Sequence, residues 1–207
     1  MRRSIATGLI QPLILLAALA FAVHGAGQAD PAWSQTAKPK PGAANKQPVA
    51  PPQVRYGTEG LPRPVLDMRE AMLAAIESGD IEELRHAYDL YELKPDLGTP
   101  PKSDPVAHWK RISGDGQGRE VLAALSLILE AGYVVLPLGP DLENNRLYVW
   151  PYLAEWPRGR LTPRQEVELL RLVPPNTARE MKEKGKYTHW RLVIGADGTW
   201  HTLRKGD

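Results

Sequence analysis

Apolar residues recur at helical spacing in several stretches of the chain. Val65, Met68, Met72 and Ile76 mark a helix over about 65–78, and Gly79 suits a left-handed stop. Asp80 with Glu83 forms a capping-box pattern for a second helix, which carries Ile81, Leu84, Tyr88 and Tyr91 on one stripe. Together they predict an N-terminal αα-hairpin with a very short turn. Residues 94–105 contain four prolines and read as a loop. A short helix is expected over 104–112 and a glycine-rich turn over 113–118. The most apolar helix follows over 119–131, with Val121, Leu122, Leu125, Ile128 and Leu129.

Beyond Gly132 the period changes. Residues 133–138 and 146–152 read as strands, and Pro151 suggests that the second lies at an edge or carries a bulge. Thr162, Pro163 and Gln165 mark a helix start by cap and by first-turn proline, and Pro174-Pro175 ends that helix. Thr177 with Glu180 opens a polar, lysine-rich helix that stops at Gly185. Residues 187–194 and 199–205 are strands joined at Asp197-Gly198, a strong hairpin signal. A two-residue loop would put Trp190, Leu192, Ile194, His201 and Leu203 on one face. A three-residue loop would replace His201 and Leu203 there by Trp200 and Thr202. Trp200 and Leu203 share a face only if the strand is bulged.

The expected fold is therefore α+β: a small, mainly antiparallel sheet of three to five strands, ending in a C-terminal hairpin and packed with about five helices. The N-terminus reads differently. Arg2 and Arg3 precede an apolar run over 13–23, followed by small-x-small patterns ending at Ala22 and Ala29. That is a secretory signal over 1–29, too short in its apolar run to span a bilayer comfortably. Eight prolines between Pro31 and Pro64 make 30–60 a disordered, semi-rigid spacer. One domain remains, over 61–207.

Composition narrows the chemistry. Cysteine is absent, which excludes disulfides, thiolate nucleophiles and a lipoprotein anchor. Lys and Arg number 26; without Arg2 and Arg3 they equal the 24 acidic residues. That near-zero balance argues against nucleic acid as a partner. The expected location is periplasmic or secreted, with no transmembrane span after signal cleavage.

Several segments resemble a family of uncharacterised exported proteins of alphaproteobacterial type. They are residues 78–84, 114–122, 144–152 (Asn-Asn-Arg-Leu-Tyr-Val-Trp-Pro-Tyr), 161–175, and the tail from Trp190 with its Asp-Gly-x-Trp turn. The resemblance covers about 60–207 and implies compartment and layout. The opening helices are also similar to those of nuclear-transport-factor-like cone folds, with two extra helices where such folds run continuous strands.

Candidate sites follow from residue type and spacing. The only phenylalanine is Phe21, so beyond the signal every aromatic ring is Trp or Tyr, each with a polar handle. Trp150, Tyr152 and Trp156, with Arg146 and Arg158, are candidates for a stacking surface that binds a glycan, a peptide or a protein. The competing reading packs these rings into the sheet. Gly114–Gly118 with Lys110, Arg111 and Arg119 is a candidate anion site before a helix N-terminus, with Asp115 opposing it. Asp104 and His108, four apart, are a candidate acid–base or metal pair. Such a metal site would need a third ligand such as His86. His189 and His201 fall on opposite faces in the two-residue-loop register. Ser126 lies inside an apolar helix, and no Gly-x-Ser-x-Gly elbow exists. Glu82/Glu83 and Glu166/Glu168 read as solvated. No cofactor and no metal site is expected. The expected function is a non-catalytic binding or protein-interaction module, whose partner is an envelope component or another protein. The alternative is a small metal-assisted or acid–base hydrolase.

Overall fold

The structure, a computed structural model, describes residues 51–100, 102–139, 145–156 and 161–206. The expected signal and most of the expected spacer lie outside the described residues. Helix α1 spans Arg63–Ser78, and Pro64 occupies its first turn, where the missing N–H costs nothing. Asp80 caps a 3₁₀ turn at Ile81–Glu83 by accepting from the Glu82 N–H, and α2 (Leu84–Asp89) continues from it. Glu83 does not close a capping box; it lies 3.1 Å from His86 instead. Helices α3 (Pro105–Ile112) and α4 (Arg119–Glu130) complete the first half.

The second half holds β1 (Val134–Pro137), β2 (Arg146–Trp150), α5 (Pro163–Leu172), α6 (Pro175–Lys184), β3 (Trp190–Gly195) and β4 (Trp200–Lys205). The fold is α+β, with six α-helices and a four-stranded antiparallel sheet in chain order β1-β2-β3-β4 among the described residues. Contrary to the expectation for Pro151, β2 is an interior strand. Pro151 lies just past the last ladder residue, Trp150, so it removes no ladder hydrogen bond. The Trp150–Pro151 bond is cis.

The hairpin register resolves in favour of the bulge. The Gly195 N–H donates to the Thr199 carbonyl (2.8 Å), leaving a three-residue loop in which Gly198 has φ 88°. Val193 pairs with Thr202 while Ile194 pairs with Trp200, so His201 is the extra residue. The slip lets both Trp200 and Leu203 face inward, each 1% exposed.

The register places Tyr148, Trp150, Leu192, Ile194, Trp200 and Leu203 on one face, against which α1 and α4 pack. Trp109 of α3 stacks on Trp200 (centroids 6.0 Å, planes 10° apart), with Tyr88 edge-on to both. Val134, Val149 and Val193 on the opposite face are buried too.

Both edges of the sheet are met by chain. Arg55 pairs with Tyr133 beside β1 through two N–H···O bonds of 2.8 Å. Asp96 lies parallel to β4, donating to the His201 carbonyl and accepting from the Leu203 N–H. Such cover blunts edge-to-edge growth. The Arg55 bridge also places residues before Leu61 on the domain, earlier than the boundary expected from the prolines. Val54 and Tyr56 are too short a pattern to stand out beside Pro51-Pro52.

Candidate functional site

Helix α5 begins with a complete capping box. Thr162 accepts from the Gln165 N–H, and the Gln165 side chain accepts from the Thr162 N–H. This start fixes the helix phase, so Gln165, Leu169 and Leu172 point inward. Glu168 lies at the i+3 position of that stripe, and its side chain is only 19% exposed. The carboxylate is held by three side chains. Tyr152 donates to Oε2 at 2.6 Å, Tyr56 donates at 3.0 and 3.1 Å, and Arg164 Nε donates to Oε1 at 3.2 Å. The Arg164 guanidinium also sits over the Tyr56 ring, 5.5 Å from its centroid.

This cluster forms the polar wall of a cleft of about 190 Å³ between α4 and α5. Its apolar lining comes from Leu127 and Ala131 at the end of α4, Leu153, and Leu172. Arg171 and Glu130, 3.8 Å apart, stand at the rim. Burial pushes the Glu168 carboxyl up, but the bonds from Tyr152, Tyr56 and Arg164 outweigh it and leave it below the ordinary range. Burial, reinforced by the hydrogen bond to Glu168, drives the Tyr152 hydroxyl well above its ordinary value. At neutral pH the wall is a fixed carboxylate facing two neutral phenols. Glu168 is thus not the solvated acid its spacing from Glu166 suggested.

The expected stacking surface is not brought together. Trp150 and Tyr152 are each 1% exposed. Trp150 packs on Tyr133 (centroids 4.9 Å) and Tyr148, so neither ring offers a face to solvent. Trp156 is half-buried and edge-on to Tyr152 at 5.5 Å. Arg146 lies at the other end of β2, about 13 Å from Trp150 by strand rise. Arg158 lies outside the described residues. Of the four that are described, Tyr152 alone lines the cleft.

The glycine turn carries its own anions. Asp115 Oδ1 accepts from the Gln117 and Gly118 N–H groups and from the Ser113 hydroxyl, and Glu120 accepts from the Gly114 N–H. The three cations point to different partners: Lys110 to Glu82 at 2.8 Å, Arg111 to His108 at 2.9 Å, and Arg119 to Asp115 at 3.9 Å. They do not converge on a common point.

Asp104 and His108 are likewise committed elsewhere. Asp104 caps α3 and pairs with Arg85 at 2.7 Å, which holds its carboxyl below the usual range. His108 Nδ1 accepts from Arg111, which fixes the neutral tautomer with its proton on Nε2. Burial and the Arg111 charge both lower its pKa. His86 is exposed beside Glu83. Among the described residues no group of three or more His, Asp or Glu side chains is placed to hold a metal. None of the described helices is long and apolar enough to cross a membrane.

A second cleft, of about 280 Å³, lies between α4 and the open end of the β3–β4 hairpin. His189 lines it, and burial together with the nearby Lys205 charge lowers its pKa to about 4. The unfolded chain takes up this proton near pH 6.5 and the folded chain near 4. Between those values the unfolded state binds more protons, so stability is lost as the pH drops from about 6.5 toward 4 and regained as it rises. His108 acts in the same direction. Discounted for the partial exposure of the ring, the loss assigned to His189 between pH 7.5 and 5 is expected to be about 1 kcal/mol. Urea unfolding of the protein and of His189→Gln at both pH values checks this; the variant should show the shallower dependence, and equal slopes would exclude the assignment.

Compared with known proteins, the chain matches no family model, no curated protein and no solved structure.

Proposed function

We propose that this protein is an exported, non-catalytic binding module whose ligand seats in the cleft between α4 and α5. The observation that carries the reading is the construction of that cleft. Its floor is apolar, and its one carboxylate–phenol wall is already locked by three mutual donors. A general acid or base must exchange its proton at the working pH. Glu168 is held ionised and Tyr152 is held neutral, so the wall suits orientation rather than proton transfer. Apolar clefts with a few fixed polar groups are how small-ligand sites are commonly built. Export is supported by the Arg2-Arg3 start, the apolar run and the small-x-small patterns, and it makes envelope components the natural ligands. The hydrolase alternative gains nothing from Asp104 and His108, which face Arg85 and Arg111.

The test is a thermal-shift screen of the purified chain against fatty acids, phospholipid head groups, muropeptides, apolar peptides, and divalent metals with and without EDTA. A ligand at about 100 times its Kd adds about 2.7 kcal/mol, a shift of several degrees for this size. An organic ligand is expected to stabilise the protein, and Ala131→Leu, which fills the cleft, is expected to abolish the shift. A shift that survives Ala131→Leu, or one produced by metals alone, would overturn the reading.

A further inference from the structure

The outer edge of β1 is covered only in part. The Arg55–Tyr133 bridge is isolated, so the segment before α1 pairs with the edge at one residue. Strand alternation turns the Val135 N–H and C=O to the same side as those of Tyr133. Among the described residues no backbone group meets them. Before Gln53 the segment is Pro51-Pro52, which has no N–H to offer an edge.

Val54 and Tyr56 alternate onto the place where Gly132 leaves room. A Cβ on Gly132 would stand 2.8 Å from Tyr56 Cε1 and 2.9 Å from Val54 Cγ1, so the missing side chain is what lets the segment lie this close. The Tyr56 hydroxyl reaches both Glu168 oxygens, at 3.0 and 3.1 Å. Yet Tyr56 is 48% exposed, Val54 is only half-buried and Arg55 is exposed. Without Tyr56, Glu168 would keep its shorter bond from Tyr152 and its bond from Arg164. Between the segment and α1 stand Gly57 and Gly60, with φ 70° and 79° and nothing within 4 Å of an added carbon. They are pivots on which the segment can lift.

Residues 53–56 thus satisfy three features of the domain at once: the N–H and C=O of Tyr133, the bare shelf of Gly132 and the open side of Glu168. A sheet edge recognises an extended peptide by the same means, since main-chain bonds hold it and alternate side chains select it. Resting on the reading of the α4–α5 cleft as a ligand site, we propose that its ligand is an extended peptide of apolar-x-Tyr pattern that adds beside β1 in place of residues 53–56. Its tyrosine takes the position of Tyr56 at the cleft wall. Its backbone runs on to Val135, where the chain's own segment does not pair. That segment competes at the high effective concentration of a tethered ligand, and the added pairing at Val135 favours the free peptide.

The probe is acetyl-Thr-Val-Gln-Val-Arg-Tyr-Gly amide, which replaces the two prolines and sets its glutamine opposite Val135. Isothermal titration against the full chain and against Val54→Ala/Tyr56→Ala, whose own segment is weakened, is expected to show binding about tenfold tighter to the variant. N-methylation of the peptide's arginine removes the N–H donated to Tyr133 and should weaken binding about tenfold; tyrosine to phenylalanine should weaken it about fivefold. Ala131→Leu should weaken the peptide as it does any ligand of the cleft. Circular dichroism checks that the variants fold. Hydrogen exchange on the unaltered chain gives a second reading. Saturating peptide should slow the Val135 amide and leave the Val134 amide, which faces Val149 on β2, unchanged. Failure of the peptide to bind either protein, or binding that neither depends on the arginine N–H nor protects Val135, would overturn the proposal. If another organic ligand then binds and is blocked by Ala131→Leu, the cleft reading stands without it. If nothing organic binds, both readings fall.

Discussion

Replacing Trp150 by alanine is expected to cost the domain about 3–5 kcal/mol, the usual range for emptying a fully buried indole site. The ring is 1% exposed and lies within aromatic contact of Tyr133 and Tyr148 on the interior strand β2. The neighbouring sheet cannot collapse into the vacancy without moving β1 and β3 as well. Against a total stability of roughly 5–15 kcal/mol, that is a large fraction. The melting temperature should fall by roughly 10 °C. Trp156→Ala is the informative companion. That ring is half-buried and makes one edge-on contact with Tyr152, so its loss should cost only about 1 kcal/mol. Calorimetry of the two variants checks the contrast. Equal, small effects would mean that Trp150 is not part of the core described above.

Gly118→Ala is the second change expected to be severe. Gly118 caps α4 with φ 84°, and an added Cβ would stand 2.7 Å from both Cβ and Cγ1 of Ile81. Ile81 is itself 1% exposed and fixed in a 3₁₀ turn, so it has little room to retreat. Left-handed strain of about 1–2 kcal/mol adds to an overpacking cost of about 1–3 kcal/mol. Gly116→Ala separates the two. Its φ is 63°, but nothing lies within 4 Å of the added carbon. It should show the strain alone, at about 1 kcal/mol. Urea denaturation of both variants measures the difference. Equal losses would show that the Ile81 contact relaxes freely.

The secondary structure was legible where local signals agree. The apolar stripe of α4, the Thr162–Gln165 box and the Asp197-Gly198 turn each combine a period with a cap or turn residue, and each falls where expected. The hairpin showed a conflict, since Trp200 and Leu203, an odd number apart, both need cover; that pattern points to two covered faces as readily as to the bulge found at His201. The candidate site was much harder to see. Glu168 meets Tyr56 across 112 residues of sequence, and no local pattern reports such a meeting. One signal existed: a carboxylate at the i+3 position of the Gln165–Leu169–Leu172 stripe must either be exposed or find donors. The Trp150 segment misled for a physical reason. Trp and Tyr favour half-wet surfaces in general, but this chain has no phenylalanine beyond Phe21, so every aromatic ring in its otherwise aliphatic core is a Trp or a Tyr.

The order of the strands has a kinetic consequence. Helix α1, near the start of the domain, packs on β3, whose residues are 190–195. The indole that stacks on Trp109 is supplied by residue 200. A chain that appears N-terminus first, as in synthesis, presents helices that have no sheet to rest on. Such long-range pairings make for slow closure. Wherever the chain is presented N-terminus first, the final collapse waits for residues 190–205 to arrive.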